Sequence, residues 1–250
     1  MADYRDCVAT YSDGRLRIGN AGIERVWDLS QGAPTALSVR DKARGREWVG
    51  DAPFRDAFRR ADLPLIQAAE VAFEAAEDDA LGASEPHLKA TVTLRYPNAE
   101  LIWTHRVWPE LPVVLSGYVI RRLGDVAEAA PEQFSDSGRR HVHPIDDRLD
   151  FFGLAPMHLS YRAVAFTART DYNDNLVREQ RGVTYPKAHL RIPAHWLHVS
   201  DRAAPGGLLA VKIAPPPDEQ LAYPGMDFFC SGRTLATVGS GIIEEELAGG

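Results

Sequence analysis

Leu88, Ala90, Val92, Leu94 and Tyr96 occupy every second position, and Leu101, Trp103, His105 and Val107 repeat the pattern after a turn at Pro97-Asn98. Successive side chains of an extended chain point to opposite faces, so this alternation places one apolar row on the buried side of a sheet. A third apolar run, Val113 to Ile120, follows Pro109 and Pro112. Three consecutive strands with short turns imply an antiparallel sheet, because parallel neighbours need a long crossover.

The same signals recur along the chain. Leu16 and Ile18, then Ile23, Trp27 and Leu29, flank Gly19-Asn20-Ala21-Gly22 and read as two strands around a turn. Leu37 and Val39 alternate before the charged turn Asp41 to Arg46, which leads into Glu47-Trp48-Val49. Residues 50–65 read as an irregular surface connection, and residues 78–86 as a polar loop. Between them, Leu65 to Asp79 is rich in Ala and Glu, which favours helix, yet Val71 and Phe73 alternate. A strand is the reading adopted. Residues 124–148 lack an apolar period and predict a long excursion with one helical turn. Leu154, Met157, Leu159, Tyr161, Val164 and Phe166 restore strand character, and Pro193 to Val199, Leu208 to Ile213 and Leu235 to Val238 predict three further strands. The expected fold is all-β, an antiparallel two-sheet β-sandwich formed by residues 1–250 as a single domain.

Composition narrows the partners. With 250 residues, 45% apolar and 25% charged, the chain has enough apolar side chains for a large core. A formal charge of -7 argues against nucleic acid and anionic membranes, since a polyphosphate partner demands a basic face. No apolar stretch reaches the length that spans a bilayer, and the start carries no basic end followed by an apolar run. A cytoplasmic location is expected. Cys7 and Cys230 are the only cysteines and have no metal-ligand spacing, so two reduced thiols are expected, with no cofactor.

Several clusters carry chemistry in principle. Asp171, Asn173, Asp174 and Asn175 lie in Arg169-Thr170-Asp171-Tyr172-Asn173-Asp174-Asn175-Leu176, just before an expected strand. Such side chains bond nearby backbone and tolerate left-handed dihedrals, so they predict a fixed loop that is either structural or carbohydrate-binding. His141 and His143 alternate near Asp146 and Asp147, a pattern open to a metal, but no further ligand spacing supports it and a polar loop is the simpler reading. Trp48, Trp103 and Trp108 sit where core aromatics sit. His195, Trp196 and His198 form another cluster, and only a solvent-facing indole would speak for sugar stacking. Adjacent carboxylates such as Asp78-Asp79 point to opposite faces of a strand and do not pinch one bond. No Gly-x-Ser-x-Gly elbow, P-loop or dinucleotide fingerprint is present, and no catalytic residue is assigned.

Ile18-Gly19-Asn20 with Ile23-Glu24-Arg25-Val26-Trp27-Asp28-Leu29, then Leu37 to Trp48, and above all Arg169 to Val177, resemble the amino-terminal region of bacterial proteins related to the α-galactosidases (melibiases) of glycoside hydrolase family 36. The likeness runs from about Gly14 to about Gly241. It implies a β-supersandwich of the galactose-mutarotase-like type, placed before a (β/α)8 catalytic barrel. The family's nucleophile lies in a Lys-x-Asp motif of that barrel, and Lys42, Lys89, Lys187 and Lys212 are never followed by Asp at the second position. The resemblance therefore implies the non-catalytic leading domain of a longer glycosidase, with the downstream barrel of the same polypeptide as partner, carbohydrate as ligand, and homo-oligomers compatible with it. The alternatives are an independent carbohydrate-binding module and an aldose epimerase-like enzyme using His105, His143, His195 or His198.

Overall fold

Alternation becomes pairing in the computed structural model, which describes residues 1–30, 34–49, 67–77, 85–96, 99–122, 133–134, 140–141, 148–153, 159–166, 177–184, 189–203, 205–211, 227–231 and 234–238. Among these residues there are strands and no helix. The first six strands are β1 (Ala2–Tyr4), β2 (Cys7–Ser12), β3 (Arg15–Gly19), β4 (Ile23–Asp28), β5 (Thr35–Asp41) and β6 (Arg46–Glu47). They form one six-stranded sheet in sequence order. Next come β7 (Glu70–Ala76), β8 (His87–Tyr96), β9 (Ala99–Val107) and β10 (Val114–Arg122), a four-stranded meander. A two-stranded ribbon, β11 (Gln133–Phe134) and β12 (Arg140–His141), precedes β13 (Arg148–Gly153), β14 (Leu159–Phe166), β15 (Val177–Thr184), β16 (His189–Pro193), β17 (Trp196–Asp201), β18 (Gly207–Val211), β19 (Asp227–Ser231) and β20 (Thr234–Val238). These last eight make two four-stranded sheets, β13-β20-β19-β16 and β15-β14-β17-β18. Every described pairing is antiparallel. The fold is an antiparallel β-sandwich, as the alternation requires.

The core lies between the six-stranded sheet and the meander. Leu16, Ile18 and Trp27 from one side meet Leu88, Leu94, Leu101 and Trp103 from the other, all almost completely buried. Trp27 and Trp103 pack edge to face with centroids 5.2 Å apart, and the ring of His105 lies 4.3 Å from Trp27 and 4.0 Å from Trp103. Arg25 lays its guanidinium over Trp27 at 4.5 Å. The same apolar cluster continues into Leu159, Tyr161, Ile192, Leu197 and Val199. Two polar ties reinforce it. Buried Asn20 donates through Nδ2 to the carbonyls of Trp108, at 2.8 Å, and Leu111, while its Oδ1 accepts from the N–H groups of Gly22 and Ile23. This clamps the β3–β4 turn to the β9–β10 connection. Arg46 donates to Asp201 at 2.8 Å, linking β6 to β17.

The strand reading of Leu65 to Asp79 holds as β7. It lies at a sheet edge with alternate residues partly exposed, which is why Glu and Ala are tolerated there. Strands β1, β2, β11, β12, β13, β16 and β19 lie outside the expected set, and Pro193 closes β16 where it was expected to open a strand. Proline suits a strand end because it has no N–H to give the ladder. Residues 50–65, and the expected helical turn within 124–148 apart from β11 and β12, lie outside the described residues.

Candidate site on the outer face of the β15-β14-β17-β18 sheet

In β14 and β17 the alternation separates two surfaces. Leu159, Tyr161, Ala163, Leu197 and Val199 face the core and are buried. Ser160, Arg162, Trp196, His198 and Ser200 therefore share the opposite, outer face. Register aligns them across the sheet. Arg181, Arg162, His198 and Leu209 form one row from β15 to β18. Glu179, Val164, Trp196 and Val211 form the row on one side, and Val183, Ser160, Ser200 and Gly207 the row on the other. Ser160, Arg162, Arg181, His198 and Ser200 line an open depression of about 360 Å³, in the lower part of the roughly 300–1,000 Å³ range of small-molecule sites.

Trp196 lies two residues from His198 on the same strand and face, with 45% of its surface exposed. The other four tryptophans, Trp27, Trp48, Trp103 and Trp108, are buried. Leu209 and Val211 are also exposed, so Trp196 and Val211, direct cross-strand neighbours, form an apolar margin beside the polar row.

Directly opposed like charges repel on a sheet, yet Arg162 and Arg181 face each other. Glu179 resolves the conflict. Its carboxylate accepts from Arg162 Nε at 2.9 Å and from a terminal nitrogen of Arg162 at 3.1 Å, and also from Arg181 Nε. The hydrogen bonds from Arg181 and Arg162 hold the Glu179 carboxyl below its usual range, and the carboxylate in return raises Arg181. Two guanidiniums thus face one carboxylate. His198 completes the row by lying over Gly207: a Cβ there would stand 2.1 Å from His198 Nε2. Only glycine leaves that place open.

Glu179 is the carboxylate described beside the row, and stabilising its ionised form makes it a poor general acid and a weak base. His105 and His195, singled out as epimerase candidates, are buried. Burial, aided by the positive charge of Arg25, holds His105 well below the ordinary histidine range, and its Nδ1 is hydrogen-bonded to Ser116 Oγ at 2.8 Å. His198 alone among the described candidates reaches an open surface. No group of three or more His, Cys, Asp or Glu side chains arranged to hold a metal occurs among the described residues.

Asp171, Asn173, Asp174 and Asn175 lie outside the described residues, as do His143, Asp146 and Asp147. Trp48, Trp103 and Trp108 are core residues as expected, whereas Trp196 meets the solvent-facing criterion set for sugar stacking. Sequence reasoning reached Trp196 and His198 but missed Ser160, Arg162, Glu179, Arg181 and Ser200. Alternation in β14 signals which residues face outward, but the partnership of Arg162 with Arg181 follows only from the strand register. The chain matches no family model, no curated protein and no solved structure.

Proposed function

We propose that this chain is a non-catalytic carbohydrate-binding domain whose ligand lies on the outer face of the β15-β14-β17-β18 sheet. The observation that carries the reading is Trp196, the exposed tryptophan of a chain that buries the other four. A pyranose ring offers C–H groups on its faces and hydroxyls around its edge. An indole face meets the former, and Arg162, His198, Ser160 and Ser200 offer donors and acceptors to the latter. The sequence resemblance adds a setting, that of an accessory domain of an α-galactosidase-like glycosidase. In that setting the supersandwich would turn this face toward the barrel's mouth and help shape the saccharide pocket.

Affinity electrophoresis through gels containing neutral and acidic polysaccharides tests the reading, with reducing-end release measured in parallel. The expected result is retardation by at least one polysaccharide, loss of that retardation in Trp196→Ala, and no release of reducing ends. Retardation by none, or retardation unchanged in Trp196→Ala, would overturn the assignment, and hydrolysis by the chain itself would overturn its non-catalytic part.

A further inference from the structure

The charge on this face points to a particular class of saccharide. The chain carries a formal charge of -7, yet the row that crosses the depression holds Arg162, Arg181 and an imidazole, with Glu179 as the balancing carboxylate. Arg162 and Arg181 stand directly opposite each other, an arrangement in which like charges repel when unbalanced. Glu179 offsets one positive charge and holds both side chains in place. Among the described residues it engages Arg181 through Nε. A neutral sugar needs no such excess, since hydroxyls are satisfied by serine, histidine and backbone groups. A ring-borne carboxylate does, because a guanidinium fork matches it with two parallel charge-assisted hydrogen bonds.

Resting on the carbohydrate-binding reading, we propose that the ligand is an acidic saccharide containing a uronic acid, its carboxylate held by Arg181 and Arg162 while Trp196 packs against a neighbouring ring. Glu179 is a positioning residue: it fixes the two guanidiniums and repels a carboxylate placed on its own side, which sets the ligand's orientation. Gly207 is a second positioning residue, since a side chain there would push His198 out of the row.

The test titrates the chain with an oligogalacturonate and with the neutral galactose oligomer obtained by reducing its carboxyl groups, following heat and tryptophan fluorescence, with oligoaspartate as a polyanion lacking sugar. The uronate is expected to bind about tenfold or more tightly than its reduced counterpart, the effect of one charge-assisted contact. Arg181→Gln is expected to bring that ratio close to one, and Arg181→Lys to restore it in part. Trp196→Ala is expected to weaken both saccharides. Equal affinity for the acidic and neutral oligomers would overturn the uronate assignment while leaving the carbohydrate reading intact. Binding of neither would overturn both. Oligoaspartate binding as tight as the uronate would reduce the site to a general anion surface and overturn the assignment.

Discussion

The interior between the six-stranded sheet and the β7–β10 meander, and the outer face of β15-β14-β17-β18, use similar residues for opposite ends. Both contain tryptophan, histidine and arginine. In the interior, Trp27, Trp103, His105 and Arg25 stack on one another and are removed from water. On the outer face, His198, Arg162 and Arg181 stand side by side in register with Trp196 in the adjoining row, and all remain open. The difference teaches that residue type alone does not mark a site. An aromatic–cationic group buried on all sides contributes packing, whereas the same group spread across an open sheet stays accessible to solvent.

Substitutions that break the interior should act on stability. Trp103→Ala removes one of the largest fully buried side chains and is expected to cost about 3–5 kcal/mol, read as a lower midpoint of denaturant unfolding. Asn20→Ala comes next. It strips donors from the Trp108 and Leu111 carbonyls and an acceptor from the Gly22 and Ile23 N–H groups, for an expected loss of about 2–4 kcal/mol by the same measurement. An unchanged midpoint in either variant would mean that the clamp and core described here do not hold the fold.

The buried histidine gives a smaller, pH-dependent effect. His105 is held neutral in the fold because burial and Arg25 lower its proton affinity. Unfolded, it takes up a proton below about pH 6.5. The unfolded chain then binds more protons than the native one, so stability is complete above that pH and falls as the pH drops toward the folded value. The loss from this group grows steadily as the pH falls through that window. Unfolding midpoints between pH 7 and pH 5 should show this slope in the native chain and a shallower one in His105→Gln. Equal slopes would place His105 in a more polar setting than the one described.

The contrast also explains what the sequence made legible. Strands β3, β8 and β9 were readable because buried, mostly apolar side chains recur in them at every second residue. Leu88 to Tyr96 has no other economical reading. By contrast, β2 carries Cys7 and Ala9 at its buried positions, small side chains that leave little apolar signal. The site was half legible for a related reason. Trp196 and His198 stand out as residue types, but Arg162, Glu179 and Arg181 are unremarkable in a chain with 28 basic and 35 acidic residues. Their meaning arises when β15 folds back on β14 and sets residue 181 opposite residue 162.

On the outer face stability should barely change. Trp196→Ala is expected to shift stability by less than about 0.5 kcal/mol, since the side chain lies outside the core. A loss as large as that of Trp103→Ala would remove the contrast between the two regions.

The most direct test of the central claim, that the outer sheet face is a ligand surface, is acrylamide quenching of tryptophan fluorescence with and without saturating oligosaccharide. Four of the five tryptophans are buried, so the readily quenched emission belongs to Trp196. The account predicts that saccharide shields this fraction and that the shielding is absent in Trp196→Phe. Quenching unaffected by every saccharide, or shielding that persists in Trp196→Phe, would contradict it.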